Sequence, residues 1–87
     1  MKPNLIFTEF ENIAKQLNIK IIKEKGNFKG GYCLLKEKKI IVLNKLKTDE
    51  QNIRSLSKVF AQFNISNIYI KPFVRKLIEL ENANKTN

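Results

Sequence analysis

Apolar residues at Phe10, Ile13, Ala14 and Leu17 fall three and four apart, the spacing that gathers side chains on one helical face. Thr8-Glu9-Phe10-Glu11 precedes them as a capping box, with Thr8 placed to accept from the Glu11 amide and Glu11 to reach back. A first amphipathic helix of about three turns is the expectation. From Ile19 the period changes to two, with Ile19 and Ile21 on one side and Lys20 and Ile22 on the other. That strand should end in the polar run Lys23 to Asn27.

Phe28-Lys29-Gly30-Gly31 then opens a second strand of about Gly31 to Lys36, and a third runs from Lys39 to Leu43. Adjacent glycines can supply positive φ and let another segment approach the backbone, so a bulge or tight strand start is expected there. The charged tip Lys36-Glu37-Lys38-Lys39 is short enough for a hairpin. Nearly every residue in both strands is apolar, which predicts cover on both faces, from helices on one side and a loop or partner on the other. Cys33, between Tyr32 and Leu34, is expected to be a small buried hydrophobe. Tyr32 is expected to pack or to cap a sheet edge.

Thr48-Asp49-Glu50-Gln51 forms a second capping box with two acids in the first turn, where the helix dipole favours them. Ile53, Leu56, Val59 or Phe60, and Phe63 give that helix a core stripe, with Arg54, Ser55, Lys58 and Gln62 opposite. Asn64 to Asn67 ends it, and Ile68-Tyr69-Ile70 is a short strand candidate. Lys71-Pro72 starts a last helix, since proline suits the first turn where its missing donor costs nothing. Phe73, Val74, Leu77 and Ile78 form its buried face, Lys71, Arg75, Lys76 and Glu79 face solvent, and the polar tail Asn82 to Asn87 should fray. The predicted fold is a single α+β domain over residues 1–87, a small antiparallel sheet of three to four strands packed by three helices in the order αβββαβα.

Composition narrows the chemistry. With 87 residues and 43% hydrophobic content the chain can build one core, near the lower size limit for independent stability, and a homodimer is a natural expectation. There is no histidine and one cysteine, so no ordinary zinc site can be assembled and no internal disulfide can form. The glycines open a strand rather than a helix, which excludes a Walker phosphate loop, and the Lys29 to Leu34 segment has one of the aromatics an RNA-recognition strand needs. No pair of Glu, Lys, Tyr or Cys33 has a spacing that predicts catalytic convergence, so catalytic, cofactor and metal residues are none. No membrane segment or secretory signal is evident, and a cytoplasmic location is the expectation.

The net charge of +9 points toward a polyanion. Fifteen of the 17 basic residues are lysine, however, and lysine, asparagine and isoleucine make up 38 of the 87 residues, as an AT-rich genome would produce. Arginine is the usual reader of phosphate and base edges, so much of the charge reads as solvated surface. Candidate polyanion contacts are Lys36, Lys38, Lys39, Arg54, Lys58, Lys71, Arg75 and Lys76.

The order from Phe10 to Phe63, a helix, a strand, a glycine-opened strand, a strand ending Val42-Leu43-Asn44, then a helix begun by acids and glutamine, resembles the start of the ImmA/IrrE family of bacterial zinc peptidases. That resemblance implies a His-Glu-x-x-His motif on the helix, and its working positions fall on Lys58, Val59 and Gln62. A cation, an aliphatic side chain and an amide cannot bind zinc and activate water. Gly30 to Cys33, Val42 to Asn44 and Tyr69 to Arg75 also resemble short bacterial proteins of unassigned function. The expectation is a non-catalytic protein-interaction module on a degenerate metallopeptidase-like scaffold, with nucleic-acid binding through the basic surface as the alternative.

Overall fold

In the computed structural model, which describes residues 2–28 and 30–83, helix α1 spans Pro3–Gln16 and so starts earlier than the Thr8 pattern predicts. Pro3 occupies the first turn, where its fixed φ is already helical, and Thr8 lies inside the helix. The Thr8 hydroxyl donates to the Asn4 carbonyl at 2.9 Å instead of capping. Asn18, at φ 58°, stops the helix in the left-handed conformation that asparagine tolerates.

Strands β1 (Ile19–Glu24), β2 (Gly31–Leu35) and β3 (Lys38–Asn44) follow, then helices α2 (Asp49–Phe60) and α3 (Pro72–Ala83). The class is α+β, with three helices and a three-stranded sheet among the described residues. The expectation of a wholly antiparallel sheet needs correction, because β3 lies between the others and pairs parallel with β1 and antiparallel with β2. Asn44 supplies the reason. Its side-chain amide donates to the carbonyls of Gly26 and Phe28, each at 2.8 Å, holding the β1–β2 connection across the end of β3. Gly30, at φ 82°, closes that crossing, and a Cβ there would meet the Val42 carbonyl oxygen at 2.7 Å. Glycine is required by the approach.

The predicted strand Ile68–Ile70 does not form. Gln16 takes its backbone instead, donating to the Tyr69 carbonyl at 3.1 Å and accepting from the Tyr69 amide at 3.3 Å. Ile70 is buried and Tyr69 exposed. The helix predicted to fray from Asn82 continues through Ala83, and the remainder of that tail lies outside the described residues.

Helices α1 and α2 pack against the sheet and α3 lies on those two helices, enclosing a core in which Phe10, Ile13, Ile41, Leu43, Leu56, Phe60, Val74 and Ile78 are almost inaccessible to water. The second capping box forms as predicted, Thr48 and Gln51 exchanging bonds at 3.0 and 3.1 Å. Among the described residues the other sheet face carries no helix, and cover on both faces therefore fails for β2. Cys33 is exposed rather than buried, as are Leu34 and Leu35. Tyr32 does pack at the edge, its ring meeting Phe63 edge-on at 5.2 Å.

The β2–β3 turn places Lys36 at φ 50° and Glu37 at φ 68°, the positive angles of a type I′ turn. Neither residue is the glycine or asparagine that this turn favours. Glu37→Gly should therefore raise the melting temperature by about 3–6 °C, from roughly 0.5–1 kcal/mol of relieved left-handed strain in a domain of this size. A lower melting temperature, read by circular dichroism, would contradict the turn geometry.

Candidate functional site

Parallel pairing of β1 with β3 matches Ile19 to Lys39 and Lys20 to Ile40, so the starts of both strands lie side by side. The last turns of α1 and the hairpin tip close around them. A groove of about 920 Å³ results at this end of the sheet, its apolar lining supplied by Ala14, Ile19, Ile21, Leu35 and Ile40. Around it stand four lysines, Lys15, Lys20, Lys38 and Lys39, against two acids, Glu11 and Glu37. The four cations repel one another more than two carboxylates offset, and the apolar floor weakens screening beside them. An arriving carboxylate or phosphate relieves that repulsion, while apolar atoms can settle on the floor. Among the described residues, no aromatic ring and no guanidinium lines the groove.

The predicted basic residues divide. Lys38 and Lys39 line the groove, and Lys36 stands beside it on the turn. Arg54, Lys58, Lys71, Arg75 and Lys76 belong to α2, to α3 or to the residue before α3, and none lines it. Arg54 bonds Glu81 at 3.4 Å, and Lys71 bonds the buried Glu9 at 3.1 Å. Two of the eight candidates therefore already have anionic partners. Lys15 and Lys20, absent from the predicted set, take their place beside the tip lysines. Nothing local distinguishes them, since one ends a helix and the other alternates along a strand. The chain's topology brings them together.

The three positions on which the peptidase resemblance would set a zinc motif have different surroundings. Val59 is buried in the core, Lys58 is exposed, and Gln62 lies in the turn beyond the end of α2 at Phe60. Among the described residues no three Cys, Asp or Glu side chains gather as a metal-holding group, and no helix is long and apolar enough to cross a membrane. Lys23 is also engaged, with its ammonium 4.9 Å from the centre of the Phe7 ring.

No protein-family model, curated protein or solved structure matches this chain. The groove and the exposed hairpin therefore stand on their own chemistry.

Proposed function

We propose that this protein is a non-catalytic interaction module, on a scaffold resembling a metallopeptidase core, that captures an acidic amphipathic segment of a partner protein. The observation that carries this reading is the groove's combination of an apolar floor with Lys15, Lys20, Lys38 and Lys39 around it. A segment with leucine-like side chains on one face and carboxylates flanking them satisfies both features at once. Carboxylates would meet lysine ammoniums at the rim, where steering and specificity are gained more than raw affinity. Burial of the apolar face would supply most of the binding free energy.

Nucleic acid is the second reading, favoured by the same lysines but not by the floor, which offers no ring on which a base could stack. Salt separates the two. Phosphate contacts release counterions, so oligonucleotide affinity falls steeply and linearly on logarithmic axes. Binding that rests on an apolar floor persists once the charges are screened.

Fluorescence anisotropy with a labelled Glu/Leu amphipathic peptide and a labelled single-stranded oligonucleotide tests this. The peptide should bind more tightly than the oligonucleotide at physiological salt, and Lys38→Glu with Lys39→Glu should weaken it about tenfold, the sum expected of two reversed rim charges. Tighter oligonucleotide binding with a steep salt slope would transfer the assignment to nucleic acid. Stoichiometric zinc binding with peptide cleavage would end both.

A further inference from the structure

Strand β2 is an outer strand, and among the described residues no backbone hydrogen bond reaches its free edge. Such edges are ordinarily blunted by charge, proline or a covering loop. From Gly31 to Leu35 this one contains no charge and no proline. Leu34 is 64% exposed and Leu35 60%. We infer that β2 is the interface of a symmetric homodimer, in which the β2 strands of two copies pair antiparallel about an axis at Cys33 and join both sheets into one.

The register follows from the hairpin. A two-residue turn makes its flanking pair, Leu35 with Lys38, hydrogen-bonded, and alternation then assigns Cys33 and Gly31 to bonds with β3 as well. Tyr32 and Leu34 therefore present their N–H and C=O groups outward. Centring the axis on Cys33 sets Tyr32 of one copy against Leu34 of the other, twice, and each such pair exchanges both main-chain bonds. These two side chains share the helix-bearing face, so apolar meets apolar. On the open face Leu35 of one copy meets Gly31 of the other.

Between two copies of the chain, charge favours this register over a parallel one. Each chain carries +9, so association succeeds only where the cations are kept apart. Antiparallel pairing about Cys33 sends the two lysine-bearing tips to opposite ends of the joint and places Lys36 across from a glycine, Gly30. A parallel arrangement would bring the tips together. The surface is thus complementary to itself under a twofold axis, as an isologous interface demands.

The dimer needs no occupant in the groove and is tested independently of it. Small interfaces are weak, so sedimentation equilibrium between about 10 and 500 µM should show a dimer with a micromolar dissociation constant. Raising salt should strengthen it by screening like charges, the reverse of its effect on polyanion binding. Leu34→Lys, at an exposed position that leaves the fold intact by its circular dichroism melt, should weaken association at least about tenfold. Leu34→Pro removes the outward amide and should do the same, since an edge strand tolerates proline there.

Cys33 gives a second readout. Facing residues of a non-hydrogen-bonded pair lie about 4.5 Å apart at Cα, within the range of a disulfide. Treatment with diamide should therefore link two copies rapidly, the two thiols giving up two protons and two electrons as the azo bond is reduced to a hydrazine. Leu34→Pro should slow that linkage at least about tenfold while leaving Cys33 exposed. A monomer throughout the concentration range, or linkage as fast in Leu34→Pro as in the natural chain, would overturn the dimer.

Discussion

Phe60→Ala should leave little folded protein at 37 °C. Phe60 is fully buried and stacks on Phe10 of α1, with ring centres 5.6 Å apart and planes 8° from parallel. It also tilts against Phe63 at 6.3 Å, and Phe63 in turn meets Tyr32 of β2. One ring therefore ties the first helix to the second and, through its neighbour, to the sheet edge. Truncating such a phenylalanine costs about 3–5 kcal/mol through lost transfer energy and the cavity left behind. An 87-residue domain has roughly 4–13 kcal/mol in total at ordinary per-residue stability. Urea denaturation should show the midpoint moving sharply down, and Phe60→Leu should recover more than half of the loss by refilling the space. A Phe60→Ala midpoint close to that of the natural chain would mean the aromatic stack is not the centre of the core. Phe10→Ala should be less than additive with it, because the second truncation enlarges a cavity already present.

The same helix shows which features local sequence can carry. Leu56, Val59 and Phe60 announce their burial by spacing, and Thr48 announces the helix start because a capping box is closed within four residues. Thr8 has the same signature and does not cap, since Pro3 offers an earlier start and the partly buried Ile6 and Phe7 pack the added turn against the core. Spacing also finds three strands but cannot order them. A period of two is equally satisfied by parallel and antiparallel pairing, and the parallel match of β1 to β3 depends on a connection held from Asn44. The exposure of Cys33, Leu34 and Leu35 has the same origin. An apolar strand signals cover on both sides only if both sides have something to cover them, and here α1 and α2 cover one face while α3 packs on them rather than on the sheet. At the groove, Lys38 and Lys39 are visible as a tip, while Lys15 and Lys20 become meaningful only once β1 is placed beside β3.

Asn44→Ala should cost about 2–4 kcal/mol, an effect second only to loss of the aromatic centre, although it removes a single polar side chain. Asn44 is 4% exposed, and both polar atoms of its side chain are committed. The amide nitrogen donates to Gly26 and Phe28, the side-chain oxygen accepts from the Leu46 amide at 2.9 Å, and the main-chain oxygen accepts from Asn52 of α2 at 3.0 Å. Alanine keeps the last bond and orphans three main-chain groups, which is costlier than the net worth of the bonds themselves. Asn44→Asp discriminates this account from simple packing. It is nearly isosteric and can still accept from Leu46, but it loses both donors and turns a negative oxygen toward two carbonyls, so it should be at least as damaging as alanine near neutral pH. If packing alone mattered, aspartate would be the milder change. Hydrogen exchange locates the effect, because the crossing between β1 and β2 should open before the core does in Asn44→Ala. That opening releases the Gly30–Gly31 start of β2 and with it the register on which a symmetric edge depends, so the variant should also associate more weakly while its remaining core stays folded in the cold.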